Sequence, residues 1–170
     1  MTIKISWAIF WGYAVEVIGT AAMYGLARVF VSIEQLSAFI QSTWAEWNDL
    51  TGILFSAALA VWLTFINIRG SLFGDYLARK QDDRVYSRAF LTAMIAFFFA
   101  TAALNMVGGI KNDIMAHAAF ILLIYSTFNL FSMMKNATDL IRLYSAFKKQ
   151  VEIERIKMEM QQPEGVAESN

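Results

Sequence analysis

The sequence predicts an all-α integral membrane protein, a four-helix bundle with its N- and C-termini in the cytoplasm. Three observations predict this fold: the composition, four windows almost free of charge, and the distribution of the basic residues. Of the 170 residues, 58% are hydrophobic and 16% are charged. Soluble domains have about 45–50% apolar and about 25% charged residues. The composition therefore favours a membrane protein.

Four windows define the predicted spanning helices within a transmembrane domain at residues 1–134. They cover residues 5–27, 50–68, 89–110 and 114–134. The first window contains one charged residue, Glu16, and the other three contain none. At 1.5 Å per helical residue each window is about 28–35 Å long, which matches a hydrocarbon core of about 30 Å. Buried helices of soluble domains seldom lack charges over such lengths. Between the last two spans we expect a tight turn at residues 108–113.

The basic residues predict the orientation of these helices. If the chain crosses four times, 12 of the 14 basic residues fall on one side: Lys4, Arg69, Arg79, Lys80, Arg84, Arg88, Lys135, Arg142, Lys148, Lys149, Arg155 and Lys157. Only Arg28 and Lys111 fall on the other side. Basic residues of short loops stay in the cytoplasm. Both termini are therefore expected there, and the small size and the charge bias together suggest a bacterial inner membrane.

The connection at residues 32–48 is expected to form an amphipathic outer segment. Apolar residues recur there at helical spacing, at Ile33, Leu36, Phe39 and Ile40, with polar residues between them. Two interpretations remain open for it. It can lie on the outer leaflet with Trp44 and Trp47 as interfacial anchors at headgroup level, or it can be a cap packed on the bundle.

The last spanning helix is expected to continue as a cytoplasmic helical extension at residues 135–160. Apolar residues alternate at three- and four-residue spacing along it: Ala137, Leu140, Tyr144, Phe147 and Val151. This seam can pair with a neighbouring subunit, lie against the inner loop at residues 69–88, or bind a partner helix. Residues 161–170 are expected to be a disordered tail.

Small residues mark the predicted helix–helix contacts. Helices in a bilayer associate by close van der Waals contact across small side chains. The third window carries such a stripe at Ala89, Ala93, Ala96, Ala100 and Ala103. In the first window, Gly12 and Gly19 flank Glu16 on one face, so a partner helix can approach this carboxyl group closely.

Glu16 is the principal candidate functional residue, expected near the middle of the membrane. An acid at the centre of a spanning helix costs about 2.5–3.5 kcal/mol, so it should face the bundle or a wet cavity in its neutral form. Tyr125 and Asn129 are candidate hydrogen-bond partners, and no basic residue is expected at its depth. Two interpretations remain: Glu16 binds protons or cations in a transport cycle, or it makes a structural interhelical hydrogen bond.

The stretch Ala14-Val15-Glu16-Val17-Ile18-Gly19-Thr20, followed by Met23, resembles the first-helix signature of the small multidrug resistance transporters. That family consists of dimers of four-helix subunits in which a glutamate followed by Val-Ile-Gly-Thr binds both protons and cationic drugs. The resemblance implies that Glu16 is the coupling acid, and that Tyr13, Gly19 and Met23 line the pocket. The rest of the chain departs from the family in its long connections and C-terminal extension.

Other kinds of chemistry find little support in the sequence. The chain has no cysteine and one histidine, His117, which with Asp113 supplies two of the three or four ligands that a metal site needs. Equal numbers of basic and acidic residues give no basic surface for nucleic acid. No catalytic motif is present. We therefore expect no catalytic residue, no metal site, no cofactor and no nucleic-acid partner.

The expected function is that of a non-enzymatic inner-membrane protein that works by assembling. It would act as a homo-oligomer or as an accessory subunit beside other membrane proteins, in a secretion or conjugation apparatus, a pore, or a phage-defence or immunity system. The alternative is a proton-coupled exporter of small cationic molecules that uses Glu16.

Overall fold

A computed structural model describes residues 7–79 and 83–161, with side-chain surroundings for residues 13–79 and 83–158. Within these ranges the chain forms six α-helices and no strand, as expected for an all-α protein. The helices are α1 (Trp7–Phe30), α2 (Ile33–Ser42), α3 (Trp44–Arg69), α4 (Leu72–Arg79), α5 (Asp83–Ile110) and α6 (Asp113–Gln161). The expected tail at residues 161–170 lies outside the described residues, apart from Gln161.

Helices α3, α5 and α6 are long and apolar enough to cross a membrane. The fourth candidate span is α1 together with α2, a pair bent by 108° at the break between them. The bend has a local cause in the sequence Ser-Ile-Glu-Gln. The Ser32 hydroxyl accepts a hydrogen bond from the Gln35 backbone N–H, and the Gln35 side chain accepts one from the Ser32 N–H. This capping box begins a new helix.

The long helices lie in the order α1–α6–α5–α3. Helix α1 packs mainly on α6, α6 packs on α5, and α5 packs on α3. Helix α5 is central because its buried face runs along its whole length, at Tyr86, Phe90, Ala93, Ala96, Phe97, Ala100, Leu104 and Val107. Of the alanine stripe, Ala93, Ala96 and Ala100 are buried, and Ala89 and Ala103 are half-buried. The small residues of α5 thus contact helices of the same chain.

The two ends of this helix layer differ in charge. We call the end that carries Arg69, Arg88 and Lys135 the basic end, and the end that carries Arg28 and Lys111 the opposite end. At the basic end, Arg69 of α3 forms an ion pair with Asp83 of α5 at 3.1 Å. At the opposite end, α3 and α5 are joined by hydrogen bonds between Asn48 and Asn105 (2.9 Å) and between Thr51 and Thr101 (3.0 Å).

Helix α2 packs across the opposite end, against α6. Leu36, Ser37 and Ile40 are buried there, and the Ser37 hydroxyl donates a hydrogen bond to the Asp113 carboxylate. The segment thus packs on the helix ends as a cap. Helix α3 begins at Trp44, so Trp44 and Trp47 belong to the first turns of α3 rather than to the amphipathic segment. Both rings are half-buried against the ends of α5 and α6.

The turn between α5 and α6 differs from the expected one. Helix α5 continues through Gly108 and Gly109 to Ile110, and the chain turns at Lys111 and Asn112. Lys111 has a φ of 47°, the left-handed conformation that commonly ends a helix. The Asn112 side chain then accepts a hydrogen bond from the Ile114 N–H at 2.8 Å and begins α6.

At the basic end, α6 runs without a break into the predicted extension and packs on α4. Phe73 and Leu77 of α4 are buried, and the Phe73 ring lies 5.4 Å from the Phe147 ring and 5.1 Å from the Tyr144 ring. Three alternatives were open for the apolar seam of α6. This contact corresponds to the second of them, in which the seam lies against the inner loop. Beyond Phe147 the seam is exposed at Val151.

Candidate functional site

The Glu16 side chain is buried between α1 and α6, with 7% of its surface exposed. Its Oε2 atom has no hydrogen-bond partner among the described residues. Ser132 of α6 is the side chain placed to hydrogen-bond with the carboxyl group. A buried carboxyl oxygen without a partner is unusual in a folded protein, so its surroundings decide what the group can do.

A cavity of about 230 Å³ lies next to this carboxyl group, between α1, α5 and α6, and is partly open. It extends from Glu16 to the basic end. Its lining residues are Tyr13, Glu16, Val85, Arg88, Ala89, Thr92, Asn129, Ser132, Lys135, Asn136 and Asp139. Most of these side chains are polar, so the cavity can hold water or a small polar solute in contact with Glu16.

The helix register places Glu16 nearer the basic end than the sequence suggested. Tyr13, one turn before Glu16, shares a hydrogen bond of 2.9 Å with Thr92, which is the fourth residue of the window at 89–110. Ser132 is two residues from the end of the window at 114–134. By these contacts Glu16 lies within about two helical turns of the basic end of the spans, rather than at their middle.

This register also changes the electrostatics of the site. No basic residue was expected at the depth of Glu16, but Arg88 and Lys135 line the same cavity, together with Asp139. No ion pair joins Glu16 to either base within the described residues. With Glu16 ionised the four side chains have no net charge, and with Glu16 protonated they carry a charge of +1.

The two candidate partners of Glu16, Asn129 and Tyr125, lie on successive turns of α6. Asn129 is buried, lines the cavity, and donates a hydrogen bond of 2.9 Å to the backbone carbonyl of Tyr125. Tyr125 is half-buried one turn further from the basic end and does not line this cavity. Among the described residues, no hydrogen bond joins the Glu16 carboxyl group to the side chain of Asn129 or Tyr125.

Of the two small residues that flank Glu16 on α1, Gly19 faces α6. A Cβ atom at Gly19 would lie 2.8–3.1 Å from the Phe128 ring, so this glycine lets α6 approach α1 closely. The surroundings of Gly12 lie outside the described residues. Of the residues implied by the transporter resemblance, Tyr13 lines the cavity with Glu16. Gly19 faces Phe128 instead, and Met23 is half exposed.

The sequence of α6 contains a signal for the cavity residues. The polar residues Asn129, Ser132, Asn136 and Asp139 recur there at alternating three- and four-residue spacing. Such spacing places side chains on one helix face, and this face continues past the uncharged window. Arg88 offered no comparable signal, because it lies among several basic residues.

A second polar contact between α1 and α6 lies at the opposite end. The Tyr24 hydroxyl and the His117 Nδ1 atom are 3.2 Å apart, and the two rings meet edge to face. The His117 Nε2 atom is buried and has no partner among the described residues. Asp113, one turn before His117, accepts hydrogen bonds from Ser37 and Gln41 of α2. The described residues contain no cluster of three metal-ligating side chains.

Comparison with known proteins gives no relative. No protein-family model, curated protein or solved structure matches the chain.

Proposed function

We propose that this chain is a non-enzymatic, multi-pass membrane transport protein in which Glu16 binds and releases a proton in exchange for a small cationic molecule. The observation that carries the proposal is the buried carboxyl group of Glu16 at the end of an open polar cavity, with its Oε2 atom lacking a hydrogen-bond partner among the described residues. Acids inside membrane spans commonly serve as proton or substrate sites. A group at the end of such a cavity can exchange its proton with water.

A purely structural role is less consistent with this geometry. An acid that fixed the pairing of two helices would place both carboxyl oxygens on hydrogen-bond donors, because an unsatisfied buried acceptor costs about 1–3 kcal/mol. Among the described side chains, Ser132 is the one placed as such a donor. A carboxyl group with one oxygen left without a fixed partner can instead take either a proton or a cationic group, one at a time. This mutual exclusion is the basis of coupled transport.

The proposal includes a topology of four spans in one bundle, with both termini in the cytoplasm of a bacterial cell and the protein in the inner membrane. Three spans are α3, α5 and α6, and α1 with its bend into α2 is the fourth. The excess of Lys and Arg at the basic end supports a cytoplasmic location of that end. The cavity beside Glu16 would then be open to the cytoplasm, where an exporter takes up its substrate.

Proton release upon binding of a cation tests this function. The protein is reconstituted in nanodiscs, and tetraphenylphosphonium is titrated in a weakly buffered solution while the pH is recorded. We expect release from the wild type and from Glu34→Gln, whose carboxylate lies exposed on α2. We expect none from Glu16→Gln. Release that persists in Glu16→Gln would contradict the proposed role.

A second measurement separates the proton site from the identity of the substrate. Hydrophobic carbodiimides modify protonated carboxyl groups within membranes, and mass spectrometry locates the product. We expect modification at Glu16 that declines as the pH rises and protonation is lost. If Glu16 is modified but no cation releases a proton, the proton site stands and the cationic substrate is wrong. Absence of modification at every pH would refute the proton site.

A second candidate function is that of an oligomeric or accessory subunit of a membrane complex. Helix α1 packs mainly on α6 and leaves large apolar side chains exposed, among them Val15, Ile18 and Leu26. An apolar groove of about 380 Å³ between α1 and α6 adds to this surface. The alanines of α5 are already in contact within the chain, so we place the assembly surface on α1 rather than on that stripe.

Native mass spectrometry from detergent micelles tests the second candidate. We expect a multimer for the wild type, and a shift towards monomer for Ala21→Trp, which fills the groove. Ala57→Trp, on an exposed position of α3, serves as the matched control and should keep the multimer. A monomeric wild type at all concentrations would exclude self-assembly through this surface.

A further inference from the structure

The cavity beside Glu16 contains charges of both signs at different depths. Glu16 lies at its inner end, where the carboxyl Oε2 atom has no hydrogen-bond partner among the described residues. Arg88 of α5 and Lys135 of α6 line the same cavity towards the basic end, and both side chains are exposed. A cation that reaches Glu16 from this end passes two bases, for which the proposed function gives no role.

The two bases leave the outer part of the cavity with an excess of positive charge. Within the described residues, no ion pair engages Arg88 or Lys135. Asp139 lines the cavity beside them, but it forms an ion pair with Arg142 of its own helix at 3.8 Å. Like charges repel a simple cation here, although water and salt weaken the effect. The same two side chains are available to bind an anionic group.

Helix geometry gives the separation of the two kinds of charge. Ser132 lies at the Glu16 carboxyl group, and Lys135 follows it by three residues, about 4.5 Å along α6. On α5, Thr92 lies one turn beyond Glu16 and Arg88 lies one turn further, which gives about 11 Å along the axis. A small molecule with opposite charges several ångströms apart matches this separation and the cavity volume of about 230 Å³.

We propose that the substrate is a small zwitterion, whose cationic nitrogen binds Glu16 while its carboxylate or phosphate group binds Arg88 and Lys135. Guanidinium and ammonium groups form charge-assisted hydrogen bonds with such anions. The attraction of the anionic group offsets the repulsion that a simple cation meets at the two bases. This inference rests on the proposed function, in which a cationic group displaces the proton of Glu16.

The order of the charges favours a soluble zwitterion over a lipid headgroup. The acid lies at the inner end of the cavity and the bases lie towards the basic end, so the cationic nitrogen of the substrate enters first. In phosphatidylethanolamine the phosphate joins the acyl chains and the ammonium group is outermost. A lipid at this end of the spans therefore presents its charges in the reverse order, with the phosphate nearer the middle of the membrane.

A zwitterionic substrate changes the charge that each exchange moves across the membrane. When a simple monovalent cation replaces one proton, the two charges cancel and no net charge moves. A zwitterion has no net charge, so its exchange for the one proton that leaves the Glu16 carboxyl group moves one positive charge. Exchange of a zwitterion therefore produces a current, and one-for-one exchange of a simple cation does not.

Two ligands of the same length test the substrate class. One is the zwitterion 4-(trimethylammonio)butanoate, and the other is butyltrimethylammonium, which has a methyl group in place of the carboxylate. Their quaternary nitrogens carry no proton, so any proton released comes from the protein. The pH is recorded in a weakly buffered solution of phosphatidylglycerol nanodiscs. We expect the zwitterion to act at a concentration at least about tenfold lower, the size of one hydrogen bond to a charged group.

Variants of the two bases assign this preference to the cavity. Arg88→Gln and Lys135→Gln should each bring the half-saturating concentrations of the two ligands closer together. Arg84→Gln, at an exposed position of α5 outside the cavity, is the matched control and should keep the preference. A wild type without preference for the zwitterion, or a preference unchanged in both Arg88→Gln and Lys135→Gln, would overturn the inference.

The source of the zwitterion is tested by the lipid. Nanodiscs that contain phosphatidylethanolamine should give the same half-saturating concentration for 4-(trimethylammonio)butanoate as nanodiscs without it. A higher concentration in the presence of this lipid would show that its headgroup occupies the site, and would overturn the soluble substrate. Proteoliposomes on a solid-supported membrane add a second readout. A jump in the zwitterion concentration should give a transient current that Glu16→Gln lacks, and absence of this current in the wild type contradicts zwitterion exchange.

The outcomes separate this inference from the proposed function. Carbodiimide modification of Glu16 is measured in the same preparations, and thermal unfolding verifies that each variant is folded. If Glu16 is modified and the simple cation releases protons as effectively as the zwitterion, the proposed function stands and only the zwitterion is wrong. Modified Glu16 without proton release by either ligand also overturns the inference. Failure of both the modification and the proton release removes the proposed function, and with it this inference.

Discussion

At the scale of single residues, Gly108 shows how a small side chain sets the approach of two helices. Trp44, the first residue of α3, lies with its ring over Gly108 near the end of α5, and a Cβ atom there would be 2.8 Å from that ring. At Gly109, the next residue, no atom lies within 4 Å of such a Cβ. The two adjacent glycines therefore differ: Gly108 permits a close contact between α3 and α5, whereas Gly109 faces open space.

We predict that Gly108→Ala lowers the free energy of unfolding by about 1–2 kcal/mol. The added methyl group overlaps a rigid indole ring, and overpacking of this kind costs about 1–3 kcal/mol, partly offset by the better helix propensity of alanine. Gly109→Ala, the matched control, gains the propensity without the overlap and should be neutral or more stable. Thermal unfolding in detergent micelles measures both. Equal shifts in the two variants would contradict this role of Gly108.

The sequence predicted Glu16 as the important residue but not its neighbours. A charged residue in an apolar window is visible from one segment alone. The position of Glu16 between the two ends of the helix layer depends instead on the register between α1 and α6. That register is set by contacts such as Gly19 with Phe128 and Tyr24 with His117. Both contacts join residues about 90 or more positions apart, and local patterns cannot specify such pairings.

At the scale of helices, the short α4 holds the extended part of α6 in place. Its two buried side chains, Phe73 and Leu77, belong to the same apolar cluster as Phe90 of α5 and Leu140 of α6. Phe73 also contacts the rings of Tyr144 and Phe147. Aromatic pairs in such geometry contribute about 0.5–1.5 kcal/mol each beyond their burial. Helix α4, although only eight residues long, thus fixes the first turns of α6 beyond the basic end.

We predict that Phe73→Ala releases α4 from α6 and lowers the free energy of unfolding by about 3 kcal/mol or more, as is usual for a buried phenylalanine. Hydrogen exchange of the α4 amides and of residues 140–147 should accelerate together. Leu72→Ala, at a neighbouring position that is 78% exposed, should change stability by less than about 0.5 kcal/mol. Slow exchange retained in Phe73→Ala would show that α4 is held by other contacts.

The existence of the helices could be predicted, and the alanine stripe marked a contact face of α5, but the neighbour that each face meets could not be predicted. Uncharged windows indicate spanning helices because lipid excludes charge, and this requires no tertiary information. The same windows are apolar on all faces, so they do not show which face meets which neighbour. The end of α1 is an instructive case, since the capping box at Ser32 and Gln35 was present in the sequence. It marks the bend that separates α1 from α2.

At the scale of the whole molecule, the charges and the cavity are arranged along the same axis. The cavity beside Glu16 reaches the basic end, where Arg88 and Lys135 line it, and the Tyr24–His117 pair lies at the opposite end. If the basic end is cytoplasmic, the cavity gives the proposed proton site at Glu16 access to the cytoplasm. The direction of any transport therefore depends on the orientation of the chain in the membrane.

Cysteine labelling tests this orientation, since the chain has no cysteine of its own. In intact cells, a membrane-impermeant maleimide should label Lys111→Cys. It should label Arg79→Cys and Lys148→Cys only after the membrane is opened, because basic residues of short loops remain in the cytoplasm. Phe98→Cys, at an exposed position halfway along α5, is expected to face lipid and to stay unlabelled in both conditions. Labelling of Arg79→Cys and Lys148→Cys from opposite sides would contradict the four-span topology, and with it the cytoplasmic access to Glu16.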